Sequence, residues 1–599
     1  MPATAPSPIE NAIGVVKLKL LVNGQAIDAS ASLVSVRIHR AANRIPTARL
    51  EFTDGDMPEH KFPISDSNDL QPGARLSISA GYLEDTQTLF EGIVMRHRVQ
   101  VISENDARLI VECSDVAVKM TVGRRNANYI DQNDADILSD LATRHGLTAT
   151  VDSSDVTYTE LAQHYCTDWD FLLSRADANG WLVAVNDGEL TVSTPQASGE
   201  PVLSVTYGVD LIEFDADIDA RHQYASAQAF AWDMKSQAIV EGLAADPASL
   251  PAQGNLDSEA LSGVVGLDVL RLQAGAPQQQ AGLTRWAQAQ QLKAGLARVR
   301  GRVRFQGSAL PQVGKLIELA GVGARFSGPV LATGVRHEIV DGNWFTDVDF
   351  GLAPDWFTER TDVVAPPAGG LLPGVHGLQV GVVTKLDEDP AGEHRVQVKV
   401  PVLQAETEGV WARLMQPHAS NGFGSFLLPE LGDEVVLGYF ANDPSHPVVL
   451  GSLYSSSRQP PYTLEAKNNT KAWVTRCLAR IEINDEDKVI TVITPGKNQV
   501  VLSDKDKSIT LLDQNQNKVA LTTAGIELNS PKDIVLKATG SIQLDATGPV
   551  TVSSQADVKQ SGLNIQCEAQ IGFTGKGNAT AELSAAGQTV VKGAMVMIN

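Results

Sequence analysis

Aromatic residues, cysteines and long apolar runs are scarce in this 599-residue chain. Aromatic residues make up 5% of it, and residues 497–599 contain a single one, Phe573, together with no Arg and no His. None of the four cysteines has a CxxC partner, which argues against a zinc site or a disulfide framework. No apolar run reaches the roughly eighteen residues of a membrane-spanning helix, so the sequence predicts no transmembrane segment.

Basic residues are also in the minority. Lys and Arg total 48 against 71 Asp and Glu, a net charge of −23, which argues against nucleic acid as the main partner because phosphate binding depends on clustered Lys and Arg. Residues 1–14 lack the basic and apolar segments of a secretory signal, so we expect cytoplasmic synthesis without a signal peptide. The length predicts about three to five domains.

The first part of the chain has the pattern of strands with short helices. Residues 15–211 and 301–351 contain segments in which apolar and polar residues alternate, which is typical of half-buried strands. Two capped helices are predicted at Asp134–His145 and Asp168–Asn179, each followed by Gly, and a third at Thr284–Arg298.

A compact all-β unit is predicted next. The sequence Pro-Pro-Ala-Gly-Gly at 366–370 has the composition of a linker, and we place the boundary of the first region, 1–370, there. Residues 371–460 contain five or six short strand-like segments, one of them Gly424–Leu428, which suits a small barrel of the OB type.

The last region, 461–599, contains an eight-residue repeat. Its first apolar position recurs at Ile526, Ile534, Ile542, Val550 and Val558, and a second apolar position follows two residues later in the first four copies. Looser copies precede these, and Gly, Asn, Asp, Ser, Thr and Lys separate the apolar pairs. A fixed period of this kind indicates a repeat architecture.

The length of the repeat points to several chains. Eight extended residues span about 27 Å, enough for one strand and one corner but too short to enclose a core. Three chains, each supplying one side of a prism, would enclose a core. The sequence therefore predicts an intertwined trimeric β-helix over 461–599. A single-chain β-solenoid or a β-sandwich with accidental spacing is the alternative. The predicted trimer core comprises Ile509, Leu511, Val519, Leu521, Ile526, Leu528, Ile534, Leu536, Ile542, Leu544, Val550 and Val552.

Three motifs in the predicted barrel carry a family resemblance. They are Val410–Leu414 (VWARL), Phe423–Val435 (FGSFLLPELGDEV) and Asn442–Tyr454 (NDPSHPVVLGSLY). Together with the eight-residue repeats, which we call octads, these motifs resemble the VgrG-like spike family. Members of that family combine the hub and the puncturing spike of a contractile phage tail in one chain. The pair Pro429-Glu430, where type VI spikes often have Pro-Arg, is closer to phage-like and extracellular injection particles.

The resemblance implies a mainly β fold and a mechanical function. It implies two phage-hub-like β-barrel domains with helical insertions in 1–370, an OB-fold collar in 371–460 and a β-helical needle in 461–599. It further implies a homotrimer that joins inner-tube and baseplate proteins to a PAAR-type tip protein, with cargo effectors as a further class of partner and transient contact with the target membrane. The expected location is a phage tail-like injection particle, either cell-bound or released.

The C-terminal residues are predicted to meet the tip protein. Val596, Met597, Ile598 and Asn599 form an apolar strand at the end of the needle, and exposed apolar strand ends otherwise invite aggregation. A frayed terminus is the alternative.

The sequence predicts no catalytic, metal or cofactor site. Asp215, Asp217 and Asp219 lack the Gly and the terminal Glu of a calcium loop, so we expect a solvated strand face. The histidines form no HExxH pair, and neither a G-x-S-x-G elbow nor a P-loop is present. Two other functions stay open. A polysaccharide-degrading tailspike is disfavoured by the scarcity of aromatic residues in 497–599, and an OB-fold nucleic-acid module is disfavoured by the acidic charge.

Overall fold

The computed structural model describes residues 5–10, 12, 14–27, 32–83, 85–103, 106–195, 198–403 and 408–598. The chain folds as two compact units, Met1–Leu453 and Tyr454–Asn599. Most of the regular structure is strand, as the sequence predicts.

The first seven strands surround a core of alternating inward residues. On the third and fourth of them, Val36, Ile38, Leu50 and Phe52 are fully buried while the residues between them lie on the opposite face. The strands are β1 (Val16–Val22), β2 (Gln25–Ala26), β3 (Leu33–Ala41), β4 (Thr47–Thr53), β5 (Arg75–Tyr82), β6 (Asp85–Ser103) and β7 (Asp106–Ser114).

A smaller α/β domain follows. It consists of β8 (Arg125–Asn133), α1 (Asp134–Arg144), β9 (Thr148–Val151), β10 (Thr157–Cys166), α2 (Asp168–Ala178), β11 (Leu182–Asn186) and β12 (Glu189–Ser193). Both predicted helices are confirmed, each ending one residue earlier than expected. The caps are Asn133 and Thr167, whose side chains accept the backbone N–H groups of Asp136 and Asp170.

A buried ion pair holds this domain together. Asp134 is fully buried, and its Oδ1 accepts from Arg175 Nε at 2.7 Å. Its Oδ2 accepts from Asn179 Nδ2 at 2.7 Å and from Tyr158 Oη at 3.2 Å. Burial raises the pKa of Tyr158 to about 12, so its hydroxyl stays protonated and keeps donating. The cluster ties α1, α2 and β10 to one another.

The rest of the hub region contains a long helix, α4, with further strands before and after it in the sequence. Helix α4 begins four residues before the predicted Thr284 and packs Leu283 and Ala287 on a small three-stranded sheet. The elements are β13 (Ser204–Thr206), β14 (Leu211–Ile218), β15 (Ser226–Asp233), β16 (Ala238–Glu241), α3 (Ser258–Val265), β17 (Val269–Ala274), α4 (Gln280–Arg298), β18 (Val299–Gln306), β19 (Leu316–Ala320), β20 (Gly328–Val340) and β21 (Asn343–Phe350).

One thirteen-stranded sheet joins β1–β7 to the later strands β13, β14 and β18–β21. We call these two sets of strands the two halves of the hub. The main order of the sheet is β14-β18-β21-β20-β3-β4-β7-β6-β5-β1-β2, with β13 and β19 attached beside β20. The antiparallel pairing of β20 with β3 makes this connection, with Arg336 opposite His39. The sheet serves two cores, one around Phe52 and Trp344 and one around Phe305 and Phe350. The two expected hub domains therefore share a continuous sheet.

His337 is buried where the two halves meet. Its Nδ1 lies 3.1 Å from Thr346 Oγ1 and 3.4 Å from the indole N–H of Trp344. Burial, with a smaller contribution from Arg40, lowers the pKa of His337 from 6.5 to about 3. The imidazole is therefore neutral in the folded hub at pH values where it is charged in the unfolded chain.

We expect the hub to lose stability in mild acid because of this histidine. The unfolded chain binds a proton below about pH 6.5 and the folded chain only near pH 3, so stability is full above pH 6.5 and falls by about 1.4 kcal/mol per pH unit below it. His337→Gln should remove this part of the pH dependence. Urea unfolding of both proteins at pH 7.5 and pH 5 checks it, and equal pH dependences would contradict the assignment.

The predicted OB barrel is a closed five-stranded barrel. Its strands are β22 (Gln379–Lys385), β23 (Val396–Lys399), β24 (Val410–Leu414), β25 (Glu434–Tyr439) and β26 (Pro447–Ser452). Val398, Val435, Leu437 and Val449 are fully buried inside it. Gly424–Leu428 is not a strand but part of the β24–β25 connection, where Phe426 is 84% exposed, so the expectation of a strand there is wrong.

The second unit begins with a seven-stranded antiparallel meander. The strands pair in chain order: β27 (Thr470–Val474), β28 (Arg480–Asn484), β29 (Val489–Ile493), β30 (Gln499–Ser503), β31 (Ser508–Leu512), β32 (Lys518–Thr522) and β33 (Gly525–Asn529). Within the described residues after 529, no strand is present.

Up to Asn529 this arrangement differs from the expected intertwined coils. Each strand returns on its neighbour in the same chain through a short polar turn. In the turn between β31 and β32, the Asp513 carboxylate accepts the backbone N–H groups of Asn515 and Asn517. Asx turns of this kind close a hairpin locally, so these strands pair within one chain.

Candidate functional site

One face of the meander carries two continuous rows of apolar side chains. Directly opposite residues on neighbouring strands share a face, so the register defines both rows. The first row is Trp473, Ile481, Val492, Val500, Leu511, Val519 and Leu528, and the second is Ile483, Ile490, Leu502, Ile509, Leu521 and Ile526. We call these thirteen residues the apolar face.

The apolar face is open in the single chain. Leu502, Ile509 and Leu511 in its centre are 41–44% exposed. A groove of about 600 Å³ runs along part of it, lined by Val500, Leu511, Val519 and Leu528 among others. Apolar patches of more than a few hundred square ångströms are rare on monomeric proteins and mark interaction sites.

The opposite face of the meander is mostly polar. Thr491, Ser503 and Thr510 lie there, as do Lys518 and Glu527, which form an ion pair at 3.2 Å. The sheet is thus amphipathic. On the polar face Ser503 and Ala520 are 5% and 1% exposed, so the apolar face is the more open of the two.

Several of the predicted core residues meet on the apolar face. Ile509, Leu511, Val519, Leu521, Ile526 and Leu528 all belong to it, and Ile534 lines the groove next to Leu528. The others lie in the segment after the last strand and are 56–76% exposed: Leu536, Ile542, Leu544, Val550 and Val552.

The period of eight does not indicate the N-terminal half of the apolar face, which comprises Trp473, Ile481, Ile483, Ile490, Val492, Val500 and Leu502. The pairs 481/483, 490/492, 500/502, 509/511 and 519/521 follow one another at intervals of nine or ten residues, because hairpin turns of varying length separate the strands. The signal in the sequence is the apolar pair two residues apart, repeated at variable intervals.

The predicted tip-docking residues are exposed as far as they are described. Val596, Met597 and Ile598 are 50%, 80% and 91% exposed, and Asn599 lies outside the described residues. Their docking role stays a prediction.

Two strands of the hub sheet have a free edge among the described residues. Strand β14 at one end of the sheet pairs with β18 alone, and its exposed side chains include Glu213, Asp215 and Asp217. On β6, the part after Val94 pairs with β7 only, because β5 ends opposite Ile93 and Val94 bonds to Gly73 and Ala74. This part carries Arg96 and Arg98, so one free edge is acidic and the other basic.

Two aspartates at the end of β14 and just after it, Asp217 and Asp219, form ion pairs. Asp219 accepts from Arg221, and both Asp217 and Asp219 lie 3.9 Å from Arg300. No group of three or more His, Cys, Asp or Glu residues in the described part of the chain is arranged to hold a metal ion. None of the helices in the described ranges is long and apolar enough to cross a bilayer.

Comparison with protein families first defines the class of the barrel. Residues 379–454 match the model described as the type VI secretion system/phage-baseplate injector OB domain. This span coincides with β22–β26, so the predicted OB fold is confirmed. The model described as the Alg8 N-terminal domain matches residues 12–341, more than half of the chain, and the chain belongs to that family.

Two curated relatives are spike proteins of Pseudomonas aeruginosa. Type VI secretion system spike protein VgrG4b is 32% identical over 117 residues, which is 18% of this chain and 14% of the relative. VgrG1b is 28% identical over 186 residues, 28% of this chain and 24% of the relative. The chain thus matches less than a quarter of the length of either relative. The resemblance to VgrG-like spikes is confirmed.

Among solved structures, the 43 kDa tail protein of prophage MuSo2 from Shewanella oneidensis is similar to this chain. The identity is 13%, the TM-score is 0.43, and the alignment covers 57% of this chain and 98% of the tail protein.

Proposed function

We propose that this chain is the central spike and hub of a contractile injection system and that its action is mechanical rather than enzymatic. The match of the closed barrel to an injector OB domain is the observation that carries the proposal. The barrel follows a hub region and precedes a segment with an open apolar face and octads. We assign the hub to 1–370, the OB collar to 371–460 and the needle to 461–599.

The apolar face supports a homotrimer. Ten of its thirteen side chains are 38–75% exposed, and covering the face contributes on the order of 10 kcal/mol per chain. Three copies can each turn this face towards a common axis, which covers all three apolar faces and keeps the polar faces outside the contact.

The segment after Asn529 supports the same assembly. Its octads continue to Val558, yet the described part of residues 530–598 has no strand within the chain. Extended backbone needs hydrogen-bond partners, and two other chains running alongside would supply them. Ile534, Leu536, Ile542, Leu544, Val550 and Val552 then form the aliphatic interior.

The hub offers a second trimer contact. The acidic free edge of β14 and the basic free edge of β6 lie at opposite ends of one run of strands. Head-to-tail pairing of such edges closes a ring when the rotation fits, and opposite charges fix the register. We propose that β14 of one copy pairs with the free part of β6 of the next.

The proposed action follows from this arrangement. The hub trimer contacts inner-tube and baseplate proteins, and the needle transmits the thrust of contraction through paired strands to the target membrane, which it contacts only transiently. Val596, Met597, Ile598 and Asn599 receive a PAAR-type tip protein, and cargo effectors are a further class of partner. Synthesis is cytoplasmic and assembly takes place in a tail-like particle.

The molar mass of the purified full-length chain tests the trimer. Light scattering should give about 192 kDa, three times the 63.9 kDa of one chain. A mass near 64 kDa at micromolar concentration would contradict the proposed assembly.

The position of the chain in a particle tests the function. Gold-labelled antibody against the hub region should bind at one end of sheathed particles isolated from the producing cells. The antibody is added after contraction has opened the tip end. Label along the sheath, or particles that form normally in cells without this chain, would contradict a central spike.

A further inference from the structure

A cleft of about 690 Å³ lies on the hub sheet, across the junction of its two halves. Six arginines line it, although the chain as a whole has a net charge of −23: Arg37, Arg49, Arg96, Arg302, Arg304 and Arg336. Of these six arginines, the proposed hub contact involves only Arg96, which lies on the free part of β6.

The arginines share a smaller set of carboxylates. Glu338 lies between Arg37 and Arg304, and Asp349 lies between Arg302 and Arg336. Each of these carboxylates contacts its two arginines through different oxygens, so neither holds a guanidinium with both. The arginines therefore keep N–H donors for another acceptor.

One row across the sheet has two arginines side by side. Along the register, Glu338 is opposite Arg37, Arg37 is opposite Arg49, Arg49 is opposite Glu112, and Glu112 is opposite Arg96. The order of charges is negative, positive, positive, negative, positive. Like charges directly opposite each other destabilise a sheet, and a carboxylate placed between Arg37 and Arg49 would remove that cost.

The guanidinium groups lie at the open side of the cleft. The side chains of Arg37, Arg49 and Arg96 are 53%, 43% and 59% exposed, whereas those of Glu338 and Glu112 are 27% and 36% exposed. Arg49 Nε is buried and has no hydrogen-bond partner among the described residues. An approaching molecule meets the arginines before their carboxylates.

His39 lies in the same cleft, and its pKa is affected by the positive charge there. Burial and then the neighbouring Arg336 lower the pKa of His39. The lowered pKa favours the neutral imidazole, so the positive charge of the cleft comes from its arginines.

We propose that this cleft binds a short carboxylate-rich segment of a partner protein. One carboxylate lies between Arg37 and Arg49, and a second contacts Arg96, two strands beyond Arg49. The two positions are about two and a half strand spacings apart, roughly 12 Å, the length of three to four extended residues. The acidic strand β14 bounds the cleft beyond Arg302 and repels a long polyanion, which favours a short peptide over nucleic acid.

Peptide binding to the full-length chain tests this site. Fluorescence anisotropy with labelled hexaglutamate should show saturable binding that weakens with salt, and hexaglutamine should not bind. The double variant R37Q/R49Q should weaken hexaglutamate binding at least about tenfold, because it removes both donors to one carboxylate. Thermal stability should not fall, since two like charges are removed together.

A matched variant separates the cleft from overall charge. R221Q/R325Q removes the same charge at two arginines outside the cleft, one paired with Asp219 and one hydrogen-bonded to Asn255. Its affinity for hexaglutamate should stay within about twofold of the unmodified chain. Equal losses in both variants, or no binding by the unmodified chain, would overturn the site. Tighter binding of labelled oligothymidylate through Arg37 and Arg49 would overturn the assignment to a protein segment.

Discussion

Leu511→Asp is expected to convert the trimer into monomers. Leu511 lies in the middle of the apolar face, opposite Val500 on one side and Val519 on the other. In the proposed trimer the substitution brings three carboxylates into an apolar interior, and each buried charge costs several kcal/mol. Light scattering should therefore give about 64 kDa for this variant.

Thr510→Asp is the matched control for that experiment. Thr510 is the preceding residue on the same strand, and its side chain lies on the polar face, opposite Val501 and Ala520 in the register. The variant introduces the same charge on the opposite face, outside the proposed contact surface, so the trimer should persist. A trimeric Leu511→Asp protein, or dissociation of both variants alike, would show that the apolar face is not the contact surface.

Arg175→Met is expected to destabilise the α/β domain of the hub by about 3–5 kcal/mol. Asp134 is fully buried, and Arg175 is its only cationic contact among the described residues. Met fills much the same space but leaves the carboxylate buried without a counter-charge. Urea unfolding followed by tryptophan fluorescence reports the loss, because Trp169 and Trp181 lie in the same core.

Two further variants make that measurement specific. Arg285→Met is the same substitution in a partly exposed ion pair with Asp155. It should lower the free energy of unfolding by less than about 1 kcal/mol. Asp134→Asn combined with Arg175→Met removes both charges and should recover part of the stability. Equal costs for the two single arginine variants would mean that burial of Asp134 is not the cause.

The sequence alone determined the local features of this protein. Period-two alternation predicted the strands of β1, β3 and β5, and flanking polar and glycine residues predicted α1 and α2 to within a residue. Five or six short strand-like segments in 371–460 predicted the barrel. These signals are local, because side-chain alternation, capping and turn chemistry depend on residues only a few positions apart.

The tertiary structure decided which distant residues meet. The pairing of β20 with β3 brings Glu338 and Arg37 together across 301 positions of sequence, and no pattern near either residue indicates it. Arg37 lies beside Arg49 through the neighbouring β3–β4 pair, whereas the β20–β3 pairing adds Arg336 and Glu338 to the same cleft. Likewise, hairpin turns of unequal length, rather than a period of eight, align Trp473 with Leu528 in one apolar face. Register between strands depends on turn geometry and on packing over the whole sheet, so it becomes visible only once the chain is folded.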